Sequence, residues 1–456
     1  MEQFFIFLRR NVLRKLTNQQ YLLITFLEAP LLSLIAAWFT RYTDSVGPFG
    51  TYVFRENMNI PVYMFIGVIV SMFLGLMVSA KEIFMDRKIQ ERESFLNLSR
   101  LSYLHSKILV LFVISAVQTF LFLLVGNLIL EIRGMFFHYW AILFSIACLA
   151  NVIGLNFSAG LNSVATAYIV IPFLVVPQLL FSGVMIPYDR LNTLLHHPEY
   201  VPVIGELMPS RWAYEAVAVH QFKGNRFTRE FFKMDQTIGN VNYQRNRVQL
   251  MEETLNNINF LLSKGLRLES SEDDLMLVQN ELKDMAQAGF VASFGAPEGF
   301  TTSGFNEEVY QSAMDSLALY DAYMMEAGRK ASQMKNQKVK EMTEIWRGED
   351  GYLEMNRKYT NKSLDDLLRY NRRYFQEWDH HLVREYAPIY QIPRSRVGRA
   401  QLYAPVKVLG SLHVDTYWFN LAVLWLLSVL FYLALMNDLL RKLVNWNDIR
   451  KLREKS

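Results

Sequence analysis

The chain has 456 residues, 52% of them apolar and 14% aromatic, and its 47 basic side chains exceed its 43 acidic ones by only four charges. So small a surplus gives no electrostatic support to nucleic-acid binding, and a single cysteine, Cys148, excludes a disulfide framework. The length allows two or three domains, and the mean hydropathy is only slightly positive because the apolar residues are unevenly distributed.

Residues 1–20 interleave Phe4, Phe5, Phe7, Leu8, Val12, Leu13 and Leu16 with Arg9, Arg10, Arg14 and Lys15. That spacing predicts an amphipathic helix lying along a membrane surface. It is not expected to be a cleavable signal peptide, because the arginines follow a short apolar part and the stretch lacks a small-residue cleavage site. Apolar runs long enough to cross a hydrocarbon core of about 30 Å then occur at 21–40, 61–80, 108–130, 138–157, 165–187 and, after a long polar stretch, 417–436. The expected fold is an all-α polytopic membrane protein with six transmembrane helices, interrupted by a mostly helical extracytoplasmic domain over 225–415. Lys and Arg concentrate before the first span, between the second and third, and after the sixth. Since basic loops stay cytoplasmic, both termini are expected inside the cell membrane and the insert outside.

The first span carries Glu28 and Pro30; a carboxylate in hydrocarbon marks a bundle interior or water-filled path, unless, at about one third of the way in, it snorkels or pairs structurally. Tyr52-Val-Phe54 is expected to be no more than a loop strand. The fifth run contains Pro172 and Pro177 and ends in Phe181-Ser-Gly-Val-Met-Ile-Pro187, so it is expected to kink where neighbouring helices or a cavity compensate the lost hydrogen bonds. Residues 188–224 are expected at the outer face, with 188–204 forming a re-entrant or surface-lying hairpin. His196 and His197 beside Glu199 lack metal-ligand spacing. Within the insert, helical patterns run over 248–262, 271–286, 307–346 and 364–386, with glycine- and proline-rich loops at 289–304 and 388–410. Asn361-Lys-Ser363 matches a glycosylation acceptor, and His380 and His381 are expected on a solvated helix face.

The most informative stretch is Asp86-Arg-Lys-Ile-Gln-Glu-Arg-Glu93, followed by Ser99-Arg-Leu-Ser-Tyr103. Acid and base alternate there over about two helical turns between two spans, where a simple turn needs neither. The pattern resembles the acid-Arg-x-Ile-x-x-Arg-Glu junction between the second and third helices of ABC type-2 exporter permeases, especially the G subfamily, with Asp86 replacing the usual Glu. Met208-Pro-Ser-Arg-Trp-Ala-Tyr-Glu-Ala216 and Gln221-Phe-Lys-Gly224 resemble a second landmark of that family, with Trp212 for the customary Tyr and Gln221 for the customary acid. Together with Ser182-Gly183, three landmarks stand in the family order. From 225 to 415 the resemblance ends.

The resemblance implies a permease subunit that moves a lipophilic or amphipathic substrate out of the cytoplasm or the inner leaflet. A coupling helix near 86–103, with Asp86, Arg87, Arg92, Glu93, Arg100 and Tyr103, would meet an ABC ATPase. Leu74, Val176, Leu179, Gly183, Val184 and Met185 would border a substrate path between two permease copies. No Gly-x-x-x-x-Gly-Lys-Ser/Thr sequence occurs, so the chain is not expected to be an enzyme or to hold a cofactor itself. ATP and Mg would come with the partner ATPase, either a separate polypeptide or an upstream portion joined through the helix at 1–20; 416–456 would close the membrane domain as the sixth span and a basic cytoplasmic tail. The competing reading is an ABC-coupled mechanotransmission protein acting on an envelope partner through the insert.

Overall fold

The computed structural model describes residues 2–42, 52–92, 99–161, 163–192, 194–265, 271–287, 299–369 and 373–444. Helix α1 (Glu2–Leu16) leads into α2 (Gln19–Thr40), α3 (Ile60–Ser79), α4 (Glu82–Arg92), α5 (Arg100–Leu130), α6 (Phe136–Gly160) and α7 (Val164–Leu180). Then come a one-turn helix α8 (Val203–Glu206), α9 (Pro209–Gly224), α10 (Phe232–Ser263), α11 (Glu272–Gln287), α12 (Glu307–Ile345), α13 (Glu349–Tyr359) and α14 (Lys362–Arg369). Two antiparallel hairpins follow, β1 (Phe375–Trp378) with β2 (His381–Arg384), and β3 (Val406–Leu409) with β4 (Leu412–Asp415). Helices α15 (Thr416–Met436) and α16 (Leu439–Val444) complete the described chain.

Among the described residues, five helices are long and apolar enough to cross a membrane: α2, the continuous Ile60–Arg87 stretch, α5, α6 and α15. The fifth expected span is the shorter α7, whose 17 residues contain Pro172 and Pro177. It stops at Leu180, and the backbone turns through Ser182 and Gly183. The helix starts are written locally. Asn18, Ser99, Ser163 and Asp415 accept hydrogen bonds from backbone N–H groups of the first turns of α2, α5, α7 and α15, replacing partners that a helix end lacks.

Helices α3 and α6 pack most intimately at Gly75 and Gly154. A Cβ on Gly75 would lie 2.6 Å from the carbonyl oxygen of Ala147, and one on Gly154 would lie 1.9 Å from Ser79 Oγ. Only hydrogen at these positions lets the two backbones approach, the device expected where both partners are apolar.

The insert is helical, with its own core around Val248, Met251, Leu255, Ile258, Val278, Leu317 and Tyr320, but two expectations fail. The pattern read over 364–386 is helix only to Arg369; β1 and β2 follow, so His380 lies in their turn and His381 on a strand rather than on a helix face. The periodicity misled because Tyr374, Trp378 and Leu382 fit a helical spacing as well as a hairpin. Asn361 is buried, donating to the carbonyls of Phe54 and Asn57 at 2.9 and 2.8 Å, and cannot carry a glycan in this state. The segment after Tyr52 makes a 3-10 turn at Phe54–Glu56 instead of a strand, and Arg55 donates to Asn356 Oδ1 at 2.6 Å. These contacts seat α13 and α14 on the end of the bundle remote from α1 and α4.

Candidate functional site

The junction between α3 and α5 is built on two four-residue spacings. Glu82 and Asp86 share one face of α4, and Tyr103 and Lys107 share one face of α5, because residues four apart neighbour each other on a helix. The faces meet. Lys107 Nζ lies 3.0 Å from Glu82 and 2.7 Å from Asp86, and Tyr103 donates to Asp86 Oδ2 at 3.0 Å. Helix α1 completes the cluster, with Lys15 Nζ 2.5 Å from Glu82 Oε1 and Arg14 paired with Asp86. Asn11 donates to Ser106 Oγ at 3.0 Å, and Ser99 N–H donates to Gln3 Oε1 at 2.9 Å.

Three cations thus face two carboxylates in a site where Asp86 is 2% exposed and Lys107 1%. Removing one partner of such a cluster leaves an uncompensated buried charge, worth about 3–5 kcal/mol, so α1, α4 and the start of α5 are held as one body. Two further contacts extend it. Arg87 donates to the carbonyls of Ala159 and Leu161 at 3.1 Å, closing the end of α6, and Arg100 pairs with Asp438 after α15 and donates to Leu435 O. All three basic regions of the sequence therefore meet at this end of the bundle wherever they are described.

The junction residues differ in burial: Asp86 and Tyr103 are buried and Arg87 is half-buried, whereas Arg100, paired with Asp438, and Arg92 at the tip of α4 are exposed; Glu93 lies outside the described residues. Lys15, Glu82 and Lys107 belong to the cluster although their charge reads only as flanking a span. Their signal was the reciprocal i, i+4 spacing of Glu82 with Asp86 and Tyr103 with Lys107.

The apolar candidates also divide. Leu74 is buried in the core of its own chain and does not reach the face where Val176 lies exposed. Ile169, Phe173, Val176 and Leu180 form one exposed stripe along α7, and Met185 beyond it is 62% exposed. Leu179 and Val184 pack partly against the core. Gly183 takes φ +77°, a backbone setting that a side chain strains, under the Tyr188 ring and Leu402, and Tyr188 donates to Phe181 O at 3.0 Å. The turn is thereby roofed by the segment that follows it and by the insert.

The second landmark builds another buried charge site. Glu215 on α9 accepts from Arg211 Nη1 at 2.9 Å, Lys407 Nζ at 2.8 Å, Asn420 Nδ2 at 2.8 Å and the Tyr403 N–H at 3.1 Å. Arg211 also pairs with Glu206 and stacks on Trp212, its Cζ 3.5 Å from the ring centre. Burial alone would raise the Glu215 carboxyl, but Lys407 and Arg211 outweigh it and hold the group below the usual carboxylate range. This motif thus clamps hairpin β3–β4 and α15 to α9.

Within the insert, Glu281, Asp284 and His381 bring ligand-type atoms within 4.8 Å of one another. Arg247 already pairs with the Glu281 carboxylate, whose other oxygen accepts the Leu382 N–H at 2.9 Å. This donor set fits an ion pair rather than a cation site.

Residues 2–222 match a family model described as ABC-2 type transporter. No curated protein matches the chain.

Proposed function

From the premise that residues 2–222 make this chain a membrane-spanning permease of the ABC-2 type transporter family, we propose that it is the transport subunit of an ATP-driven exporter moving a lipophilic or amphipathic substrate. The observation that carries the reading is the buried cluster of Glu82, Asp86, Lys107, Lys15 and Arg14. A partner ATPase docking at the tip of α4 would push on a body that already includes α1, the start of α5 and the root of α3. Because differential contact in two states is what converts nucleotide turnover into movement, the exposed Arg92 and the neighbouring Glu93 are the contact side, while Asp86 and Tyr103 transmit. In this reading α1 is the connecting helix, both termini are cytoplasmic and the insert is extracytoplasmic.

The exposed apolar stripe of α7 and Met185 supports placing a second permease copy against this face, with Gly183 and Val184 at the outward limit of the path. Walls of this kind recognise shape and apolar area loosely, which favours lipid-like or amphipathic cargo. Reconstitution with a cognate ABC ATPase tests the reading. Reversing both charges, Arg92→Glu with Glu93→Lys, is expected to abolish permease-stimulated ATP hydrolysis while the protein remains monodisperse. Wild-type stimulation in that variant would remove the docking assignment.

The Glu215–Lys407 clamp favours a second reading, in which motion of the bundle is passed to the insert to act on an envelope partner. ATP-dependent translocation of fluorescent lipids or dyes separates the two: export requires it, and mechanotransmission proceeds without it.

A further inference from the structure

The insert contains a cleft of about 710 Å3 between α10, α12 and hairpin β1–β2, closed on one side by the chain at 391–394 and 197–199. Its wall is mixed. Tyr243, Tyr320, Met324 and Trp378 supply apolar and aromatic surface, and Arg247, Arg384 and Arg394 supply charge. The three arginines are not equivalent. Arg247 is paired with Glu281 and Arg394 lies 3.1 Å from Asp284, so each has its own carboxylate.

Arg384 has none within ion-pair distance among the described residues. Its partners are neutral acceptors: Tyr386 O at 2.7 Å from Nε, Asn240 Oδ1 at 2.7 Å from Nη1 and Ala387 O at 3.4 Å from Nη2. The guanidinium also lies 4.7 Å from the Tyr243 ring centre, an arrangement that partly offsets its charge. Burial lowers it to about 10, where an arginine ion pair would hold it up. Of five N–H donors three are used, leaving one hydrogen on each terminal nitrogen, the fork that grips two oxygens of a carboxylate or phosphate. The acids that line the cleft, Glu199 and Asp379, make no ion pair with it.

We propose that this cleft is a binding site for a small amphipathic organic anion, whose carboxylate or phosphate sits on Arg384 and whose ring or chain lies against Tyr243, Tyr320 and Trp378. The site is built mainly from the insert and does not depend on the export reading. Residue types outline the ligand: one partly buried cation without a counterion demands an anionic head, and an aromatic wall gives most to a flat or apolar body.

The test uses the full chain in lipid nanodiscs and three probes, 1-naphthyl phosphate, 1-naphthol and inorganic phosphate, with saturable binding followed by ligand-observed NMR. Naphthyl phosphate is expected to bind at least tenfold more tightly than either of the other two. Arg384→Met is expected to weaken it tenfold or more while leaving naphthol unchanged. Because Arg384 also holds backbone carbonyls, Trp378→Ala at the half-exposed rim gives an independent arm: it is expected to weaken naphthyl phosphate three- to tenfold without shifting Tm. Absence of saturable binding in the wild type overturns the proposal. So does binding indifferent to both substitutions, and so does inorganic phosphate matching naphthyl phosphate in affinity.

Discussion

Replacing Glu215 by Gln removes one negative charge from the site where α9, hairpin β3–β4 and α15 meet and changes no volume. One carboxylate oxygen accepts from Lys407 and the Tyr403 N–H, the other from Arg211 and Asn420. Whichever oxygen becomes NH2 then confronts two donors, so two hydrogen bonds are lost at about 1–3 kcal/mol each for a buried unsatisfied group. Lys407, 1% exposed, is left without a counterion, which agrees with the roughly 3–5 kcal/mol cost of breaking a buried pair. At about 1.4 kcal/mol per factor of ten, hydrogen-exchange protection of the amides in 406–415 is expected to fall by about two orders of magnitude or more. The double variant Glu215→Leu with Lys407→Met removes the mismatch, since Arg211 keeps Glu206, and is expected to be less damaged than the two single changes summed, by about 2 kcal/mol. Protection reduced by less than tenfold in Glu215→Gln, or strict additivity in the cycle, would refute the clamp.

Gly75→Ala places a methyl group 2.6 Å from a backbone oxygen and 2.9 Å from the Ala150 Cβ, neither of which can rotate away; a loss of about 1–3 kcal/mol is expected, read as a lower melting temperature and a broadened size-exclusion peak in detergent. Burial raises Asp365 on α14 from its ordinary value to about 6. A carboxyl raised in the folded state contributes stability below its unfolded pKa, near 4, that is lost as pH rises through the folded value. Between pH 4 and 7.5 the wild type should therefore lose about 1–2 kcal/mol, discounted for partial solvent access, that Asp365→Asn retains; parallel melting curves for the two proteins across this range would contradict the assignment.

Long apolar runs made the membrane helices legible, because a span must satisfy its backbone internally and be apolar throughout. Asp86 and Arg92 stood out because acid and base alternate between two spans, and Arg211 because it lies in the second landmark of the resemblance. What could not be read was which charges point inward. Asp86 and Arg92 lie on one short helix, yet one closes a buried cluster with Arg14 and Lys107 and the other is exposed; that choice depends on α1 and α5, remote in sequence. The Glu82–Lys107 pair was hidden for the same reason. Lys407 carries no local signal at all, since only the fold brings it 192 positions back to Glu215. The β1–β2 hairpin was missed because its four-residue strands, flanked by a helix, offer too few alternations to outweigh a helical period.

The two buried charge sites lie at opposite ends of the bundle, and both fasten something that apolar packing alone would let slide. At one end the clients are α1 and α4; at the other they are hairpin β3–β4 and, through it, the insert. Helix α3 connects them: its C-terminal root runs into Glu82, and Phe65 on the same helix meets the Tyr214 ring edge-on, 5.5 Å between centres, one residue from Glu215. A displacement imposed on α4 thus has a continuous packed route to α9. Cutting that route where α3 meets α9, without substituting a residue of either charge site, distinguishes transmission from mere proximity. Phe65→Ala should leave ATPase binding intact and uncouple nucleotide-dependent changes in the exchange of residues 406–415; if those changes persist undiminished, the ends move independently and α3 is only a wall.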